Sequence, residues 1–352
     1  MHLFTPLRLR DLELKNRIVV SPMCEYSATD GHPNTWHMVH LGSRAVGGSA
    51  LVICEATAVQ AIGRISPEDT GIYLDSHVDA WKPIVDFVRS QGAAAGIQLA
   101  HAGRKASTAA PWLGGKAVDP KSGGWMPVAP SAVPFAEGYA TPRELSVAHI
   151  DQIVADFEIA AQRALRAGFQ VAEVHAAHGY LLHQFYSPLS NFRKDEYGGS
   201  FDNRIRLVLR VVAAVRSVWP KTLPVFVRIS ATDWKEGGWD LPQSIELCRR
   251  LKDAGADLID VSSGGNVAGA AIPVGPGYQV EFAAAIRRQA QITAGAVGLI
   301  TDPAQAETIV ATGQADAVFL ARELLRDPYW PHRAAQALGV KIKAPVQYER
   351  AW

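Results

Sequence analysis

Residues 173–191, EVHAAHGYLLHQFYSPLSN, carry two histidines, His175 and His178, with Tyr180 two positions after the second. Three chemistries suit such a set. A metal could take the imidazoles as ligands, with His101 and His183 as further candidates, but the glutamate of an HExxH helix is missing and the pair leaves a β-rich run. The residues could instead be polar groups satisfied within a loop. In the third reading the imidazoles donate, neutral or cationic, to an oxygen on which negative charge develops. A phenol of pKa about 10 then delivers a proton to a carbanion or enolate.

Other candidates stand at the ends of apolar runs. Arg228 closes PVFVRIS, and a cation there should point into a barrel mouth, since burial in the layers would leave it unpaired. Gln98 in GIQLAH can both donate and accept, as a polar heterocycle requires. Pro22, Met23 and Cys24 end the run VVSPMC, Tyr26 follows, and Glu55 and Ala56 end ALVICEA. Gly298 in VGLIT permits close backbone approach, and Ala321-Arg322 opens a helical stretch, a pair of features suited to phosphate. Each has a plainer alternative: packing for Cys24 and Tyr26, a loop ion pair for Arg228, a solvated helix charge for Arg322. Cys54 and Cys248 read as core residues.

The elements that must position these groups alternate. RIVVSPM, ALVICEATAV, AAGIQLAH, FQVAEVHAAH, LPVFVRIS, ADLIDVSSG, TAGAVGLI and ADAVFLAREL read as strands, with amphipathic helical segments between them. One of these helices, SHVDAWKPIVDFVRSQG, has a serine at its start. Eight strand-then-helix units require parallel strands and predict a (β/α)8 TIM barrel in one domain spanning residues 1–352. An open doubly wound sheet is the alternative, but no GxGxxG opens the first helix. Loop insertions follow the third and fourth strands. The first, about residues 102–142, is rich in Gly, Pro and Ser and is read as a cap or lid. Residues 340–352 form a C-terminal tail. The candidate residues all lie toward the C-terminal ends of the strands, where a barrel keeps its active site.

The chain has 352 residues, 48% of them hydrophobic and 20% charged, with a net charge of +1. That composition suits a globular protein and carries no footprint for nucleic acid or an acidic membrane. Three cysteines without CxxC spacing suggest no disulfide framework. No apolar run is long enough to span a membrane and no signal peptide is evident, so a cytoplasmic location is expected.

Taken together, the motifs SPMC, GIQLAHAGRKA, EVHAAHGYLLHQFYSPLSNFRKDEYGGSFDNR and VFLARELLRDPYW resemble the old yellow enzyme family of flavin-dependent ene-reductases over nearly the whole chain. Cys24, where other branches usually carry threonine, resembles the bacterial thermophilic-like or xenobiotic reductase branch. The resemblance implies FMN in the barrel mouth and NADPH, or NADH, as reductant. It implies that Pro22, Met23, Cys24, Ala56, Gln98 and Arg228 surround the flavin ring and that Gly298, Ala321 and Arg322 hold its phosphate. His175 and His178 would grip the carbonyl oxygen of an activated alkene, Tyr180 would protonate it, and Tyr26 would help bind it, in ping-pong turnover. Arg350 and Trp352 match tail residues that reach a neighbouring subunit's site in this branch, which implies a homodimer or a homotetramer. Two other functions compete: a metal-dependent barrel hydrolase built on His175, His178 and a carboxylate, and a non-catalytic flavin protein sensing redox state through Cys24.

Overall fold

The computed structural model describes residues 1–352 and contains a closed barrel of eight parallel strands. In chain order these are β1 (Ile18–Val20), β2 (Leu51–Ala58), β3 (Ala94–Ala100), β4 (Val171–Ala176), β5 (Val225–Ser230), β6 (Leu258–Ser262), β7 (Thr293–Val297) and β8 (Ala317–Leu320). Strand β8 pairs with β1 and closes the ring. The helices between them are α1 (Thr35–Val46), α2 (Asp75–Ser90), α3 (Val147–Ala167), α4 (Phe201–Val218), α5 (Leu241–Asp253), α6 (Val280–Ala290) and α7 (Pro303–Ala311), followed after β8 by α8 (Trp330–Ala337). All eight expected strand–helix units are present. No helix is long and apolar enough to cross a membrane.

Local chemistry explains most helix starts. Asn34, Ser146, Ser200, Asp240 and Asp302 each accept a hydrogen bond from a backbone N–H in the first turn of α1, α3, α4, α5 and α7. Helix α2 differs from expectation. It begins at Asp75 without a side-chain cap, and Ser76 lies inside its first turn. An acidic residue in that turn complements the helix dipole instead.

The strands are buried on both faces, and the two faces do different work. The polar–apolar alternation of a half-exposed strand is absent because both faces are largely apolar; alternate residues sort by partner rather than by polarity. Ala172, Val174, Val227, Ile229, Ile259 and Val261 pack outward with the helices in the main core. Their neighbours Leu51, Ile53, Val171, Phe226, Leu258 and Phe319 fill the lower barrel interior. The N-terminal segment LRLRDLEL contributes an unexpected element here. It folds into an antiparallel hairpin, Leu7–Leu9 with Leu12–Leu14, whose Leu7, Leu9 and Leu14 join the interior cluster. The hairpin stoppers the barrel floor, so polar groups higher in the barrel open only toward the C-terminal mouth.

Leu14 is only 1% exposed. Leu14→Ala should therefore destabilise the fold by about 2–5 kcal/mol, through lost apolar transfer and the cavity left behind. Denaturant titration of the variant against the parent measures this.

Candidate active site

Two residues further along each strand from the apolar floor, the inward positions turn polar: Gln98 on β3, Glu173 on β4, Arg228 on β5 and Asp260 on β6. All four are 5% exposed or less. Arg228 Nε stands 2.9 Å from Asp260 Oδ2, and its Nη2 donates to Ser21 Oγ at 3.1 Å. Gln98 Nε2 donates to Glu173 Oε1 at 2.8 Å. Burial pushes both carboxyls above their usual range, and Asp260 adds to the effect on Glu173.

The next inward position on β4 is His175, paired in register with Arg228. Beyond the strand, His178 takes a left-handed conformation, φ 58°. Its backbone N–H donates to Ser230 Oγ at 2.9 Å, and its Nε2 lies 2.7 Å from Ser262 Oγ. The His175 and His178 rings meet edge to face at 5.3 Å, and Tyr180 meets His175 at 4.9 Å. The structure thus brings the three residues together. Burial, then the Arg228 charge, holds both imidazoles well below their ordinary pKa, so both are neutral near pH 7. The His175 Nδ1 accepts from the Ala177 N–H at 3.3 Å, which leaves the proton on Nε2. Burial, then the neighbouring Cys24 and Tyr26, raises Tyr180, which stays a phenol.

Cys24, Tyr26 and Tyr180 pack around one small apolar cluster that includes Ala56 and Ala100. Burial, then Asp69 and Glu55, keeps the Cys24 thiol protonated. Pro22 is buried, and Met23 is half-buried and packs against the main core. Segment 102–142 consists of short 3-10 turns and the two-residue strand Val128–Ala129, and it reaches this cluster. Its Trp112 meets Tyr26 edge to face at 5.6 Å. Lys105 Nζ donates to the carbonyls of His178 and Gly265 at 2.9 and 3.1 Å and lies 5.0 Å from the centre of the Tyr180 ring.

Beside the mouth, a cavity of about 140 Å³ is lined by Gly298, Ala321 and Arg322, together with Ser262, Tyr278 and Gln279. At Gly298, φ is 127°, and an added Cβ would lie 2.9 Å from Gln279 Nε2. Glycine is thus required by backbone conformation and by space. A larger cleft, about 640 Å³, lies between tail residues 342–347 and Asn16, Gly48 and Gln91. It adjoins the N-terminal ends of β1–β3 and gathers none of the acid, base or cation groups above, so the candidate site is the mouth. Trp352 stacks on His332 at 4.7 Å on the outer surface, and this chain's own mouth does not receive it. Arg350 lies in the same exposed terminal turn.

The further metal candidates are otherwise engaged. His101 contacts Gln60 Oε1 and accepts from the Gly103 N–H. His183 accepts from the Gly179 N–H through Nδ1 and contacts Asp233 Oδ1 through Nε2 at 2.9 Å. Nowhere do three His, Cys, Asp or Glu side chains converge as a metal site.

Several residues of the site were not singled out from the sequence. Glu173 lies two before His175 and so shares its strand face; that period was a usable signal. Asp260 interrupts the apolar run LIDVS, another signal. Glu55 was noted as a strand end, but its partner was not. His37 Nε2 lies 3.0 Å from Glu55 Oε1, and both are buried. Burial raises the Glu55 carboxyl to about 8 and lowers His37 to about 4. Nothing local announced Lys105 or the His183–Asp233 pair.

The donor set fits FMN. The Arg228 cation and the Gln98 amide would suit the polar edge of a heterocycle, and the glycine-floored cavity lined by Arg322 would suit a phosphate. The chain matches the NADH:flavin oxidoreductase / NADH oxidase family over residues 2–340. It is 51% identical to an NADPH dehydrogenase of Geobacillus sp. (strain WCH70) over 352 residues, covering 99% of this chain and 98% of that one. It is 49% identical to an NADPH dehydrogenase of Bacillus subtilis (strain 168), covering 99% of each. Among solved structures it is similar to morphinone reductase in complex with tetrahydroNAD, with TM-score 0.80 and 30% identity over 98% of this chain and 93% of that one.

The loop carrying His178 and Tyr180 depends on Asp233, which is fully buried. Besides His183, it accepts from Ser187 Oγ at 2.6 Å and the Trp239 N–H at 2.9 Å. Burial pushes this carboxyl up, but His183 and the hydrogen bonds outweigh it and hold the group below its usual value. Asp233→Ala strands those donors and should cost about 3–5 kcal/mol, with Asp233→Asn recovering part of the loss. Scanning calorimetry of the two variants tests this.

Proposed function

We propose, from the premise that the chain belongs to the NADH:flavin oxidoreductase / NADH oxidase family, that it reduces the C=C bond of α,β-unsaturated carbonyl compounds and nitroalkenes. It is a flavin-dependent NAD(P)H oxidoreductase. The observation that carries the alkene reading is the convergence of two neutral imidazoles, His175 buried and His178 half-buried, and the protonated phenol of Tyr180 at a mouth floored by Arg228 and Gln98.

When bound, FMN supplies a two-electron hydride carrier between nicotinamide and alkene. Arg228 and Gln98 would hold the polar edge of its ring, beside Pro22, Met23, Cys24 and Ala56. Gly298, Ala321 and Arg322 would hold its phosphate. The Arg228 cation would favour negative charge at the ring edge, and the Cys24 thiol would adjust the polarity around the ring.

His175, with its proton on Nε2, and His178 orient the substrate's carbonyl or nitro oxygen. They stabilise the charge that grows there as the β-carbon is reduced. Because they are neutral, they hydrogen-bond to that oxygen without surrendering a proton to it. Tyr180 stays protonated until the α-carbon becomes basic and then donates to it. Tyr26, with Trp112 of the cap edge-on to its ring, closes the opening and presses substrate toward the histidines. NADPH, or NADH, and the alkene occupy this pocket in turn, so turnover is ping-pong.

We read residues 1–352 as one barrel domain, with 102–142 governing substrate access. In a homodimer or a homotetramer, the tail would place Arg350 and Trp352 at a neighbour's mouth.

Purified protein reconstituted with FMN should be yellow, bleach with NADPH without air, and regain its colour with cyclohexenone. Absence of turnover across enones, maleimides and nitroalkenes overturns the alkene reading.

Replacing His175 or His178 by alanine should slow reoxidation by enone about a hundredfold, roughly 3 kcal/mol for one lost donor, while reduction by NADPH suffers less. Tyr180→Phe should slow enones more than nitroalkenes, whose nitronate product takes its proton from solvent. Stopped-flow traces of the two half-reactions separate these effects. Parent-rate enone reduction in Tyr180→Phe assigns the proton to another donor.

A further inference from the structure

Inside the barrel, two carboxyl groups share one cation. Asp260 Oδ2 lies 2.9 Å from Arg228 Nε. Glu173 Oε1 accepts from Gln98 Nε2, but Glu173 Oε2 is buried with no partner. The groups that act on the Glu173 carboxyl are Gln98 on β3, Arg228 on β5 and Asp260 on β6, with His175 two residues on along β4. His175 is neutral, so Arg228 is the only positive charge among them. Glu173 and Asp260 are both fully buried. Two ionised carboxylates against one guanidinium leave an uncompensated negative charge in a water-poor interior, which strongly favours binding a proton. The upward displacement of both carboxyls by burial agrees with this arrangement.

The mechanism above gives Arg228 a second demand. When the bound ring is reduced, negative charge arrives at its edge beside the same guanidinium. Arg228 then serves three anionic groups. Asp260 keeps its direct ion pair with the guanidinium, whereas the one hydrogen bond to Glu173 comes from a neutral amide. Both Asp260 oxygens lack a hydrogen-bond donor, but Asp260 has the guanidinium at 2.9 Å, whereas Glu173 makes no ion pair with it and is the carboxylate without direct contact to the cation.

We propose that Glu173, coupled to Asp260, takes up a proton when the bound flavin is reduced and releases it when the flavin is reoxidised. The inference rests on the flavin reading above. Hydride from the nicotinamide brings two electrons and one proton to the ring and leaves it anionic. A second proton, from solvent, forms an O–H bond on the Glu173 carboxylate and neutralises it. The protein thus takes up two protons with the two electrons, one on the ring and one on the carboxyl. When the alkene takes the hydride, the Glu173 O–H bond breaks and that proton returns to solvent, separately from the one Tyr180 delivers. Glu173 touches no substrate; it sets the charge against which Arg228 works.

The test is the midpoint potential of the FMN-loaded protein against pH, by spectroelectrochemistry across roughly pH 6–9, the range in which raised carboxyls titrate. For a two-electron couple, each proton taken up contributes about 30 mV per pH unit. The parent should fall by about 59 mV per unit over part of this range, and Glu173→Gln by about 30 mV throughout. A one-proton slope in the parent at every pH, or a two-proton slope that survives in Glu173→Gln, overturns the proposal. A reduced-minus-oxidised infrared difference spectrum of the parent needs no variant. It should show a protonated carboxylic acid band appearing on reduction, and absence of that band also overturns the proposal. Failure of the chain to bind FMN is a different result, overturning the flavin reading and this inference with it.

Discussion

The contact between Arg228 and Asp260, inside a barrel whose floor is apolar, is the constraint on which the rest of the mouth depends. A guanidinium taken out of water must be paired, so β5 and β6 are fixed against each other where their inward side chains meet. The hairpin of Leu7–Leu9 and Leu12–Leu14 closes the interior from below, and that closure aims the remaining polarity of Arg228 upward. A barrel left open at both ends would hydrate this layer and screen the charge. In the closed form it acts at low dielectric, on groups directly above it. His175 illustrates the result: it lies beside Arg228 in register, and the cation helps keep it neutral.

Above this layer His178 and Tyr180 sit on a loop, and loops need fastening. The turn after β4 and the turn after β6 meet backbone to backbone at Gly179 and Gly265. A Cβ on Gly265 would lie 2.7 Å from the His178 Cα, so neither loop could approach the other with side chains in place. Lys105 bridges the same two loops by donating to the carbonyls of His178 and Gly265, and Arg104 Nη2 adds a bond to the Asn266 carbonyl at 2.6 Å. Segment 102–142 is therefore anchored at its start to the loops that carry His178 and Gly265. Burial lowers the Lys105 ammonium to about 8, which marks the dryness of the place it occupies.

A second polar group is held behind the mouth rather than in it. Glu55 and His37 are buried together between β2 and α1, and the Glu55 carboxylate also accepts from the Glu25 N–H at 3.1 Å. This fixes the backbone immediately after Cys24 and so fixes the direction in which Cys24 and Tyr26 project. Support of this kind, one step removed from the reacting atoms, holds a site to tolerances that loops alone do not.

The sequence by itself determined the eight strand–helix units, because parallel strands buried on both faces must be apolar runs and their crossover helices must be amphipathic. It also determined which residues end those strands, and hence most of the mouth: His175, His178, Tyr180, Gln98, Arg228 and Gly298 could be named because strand ends face one side of a barrel. Periodicity two could have placed Glu173 on the face of His175, though Glu173 was not singled out. Only the tertiary structure decided which partners these groups have. Asp260 on β6 serves Arg228 on β5, Glu55 on β2 serves His37 on α1, and Asp233 after β5 serves His183 after β4, each across chain separations that no local pattern encodes. The hairpin stopper and the anchoring by Lys105 belong to the same class. Strand formation depends on near neighbours in sequence. Pairing of buried charge depends on which distant side chains the closed ring brings within a few ångströms, and that is fixed only when the ring closes.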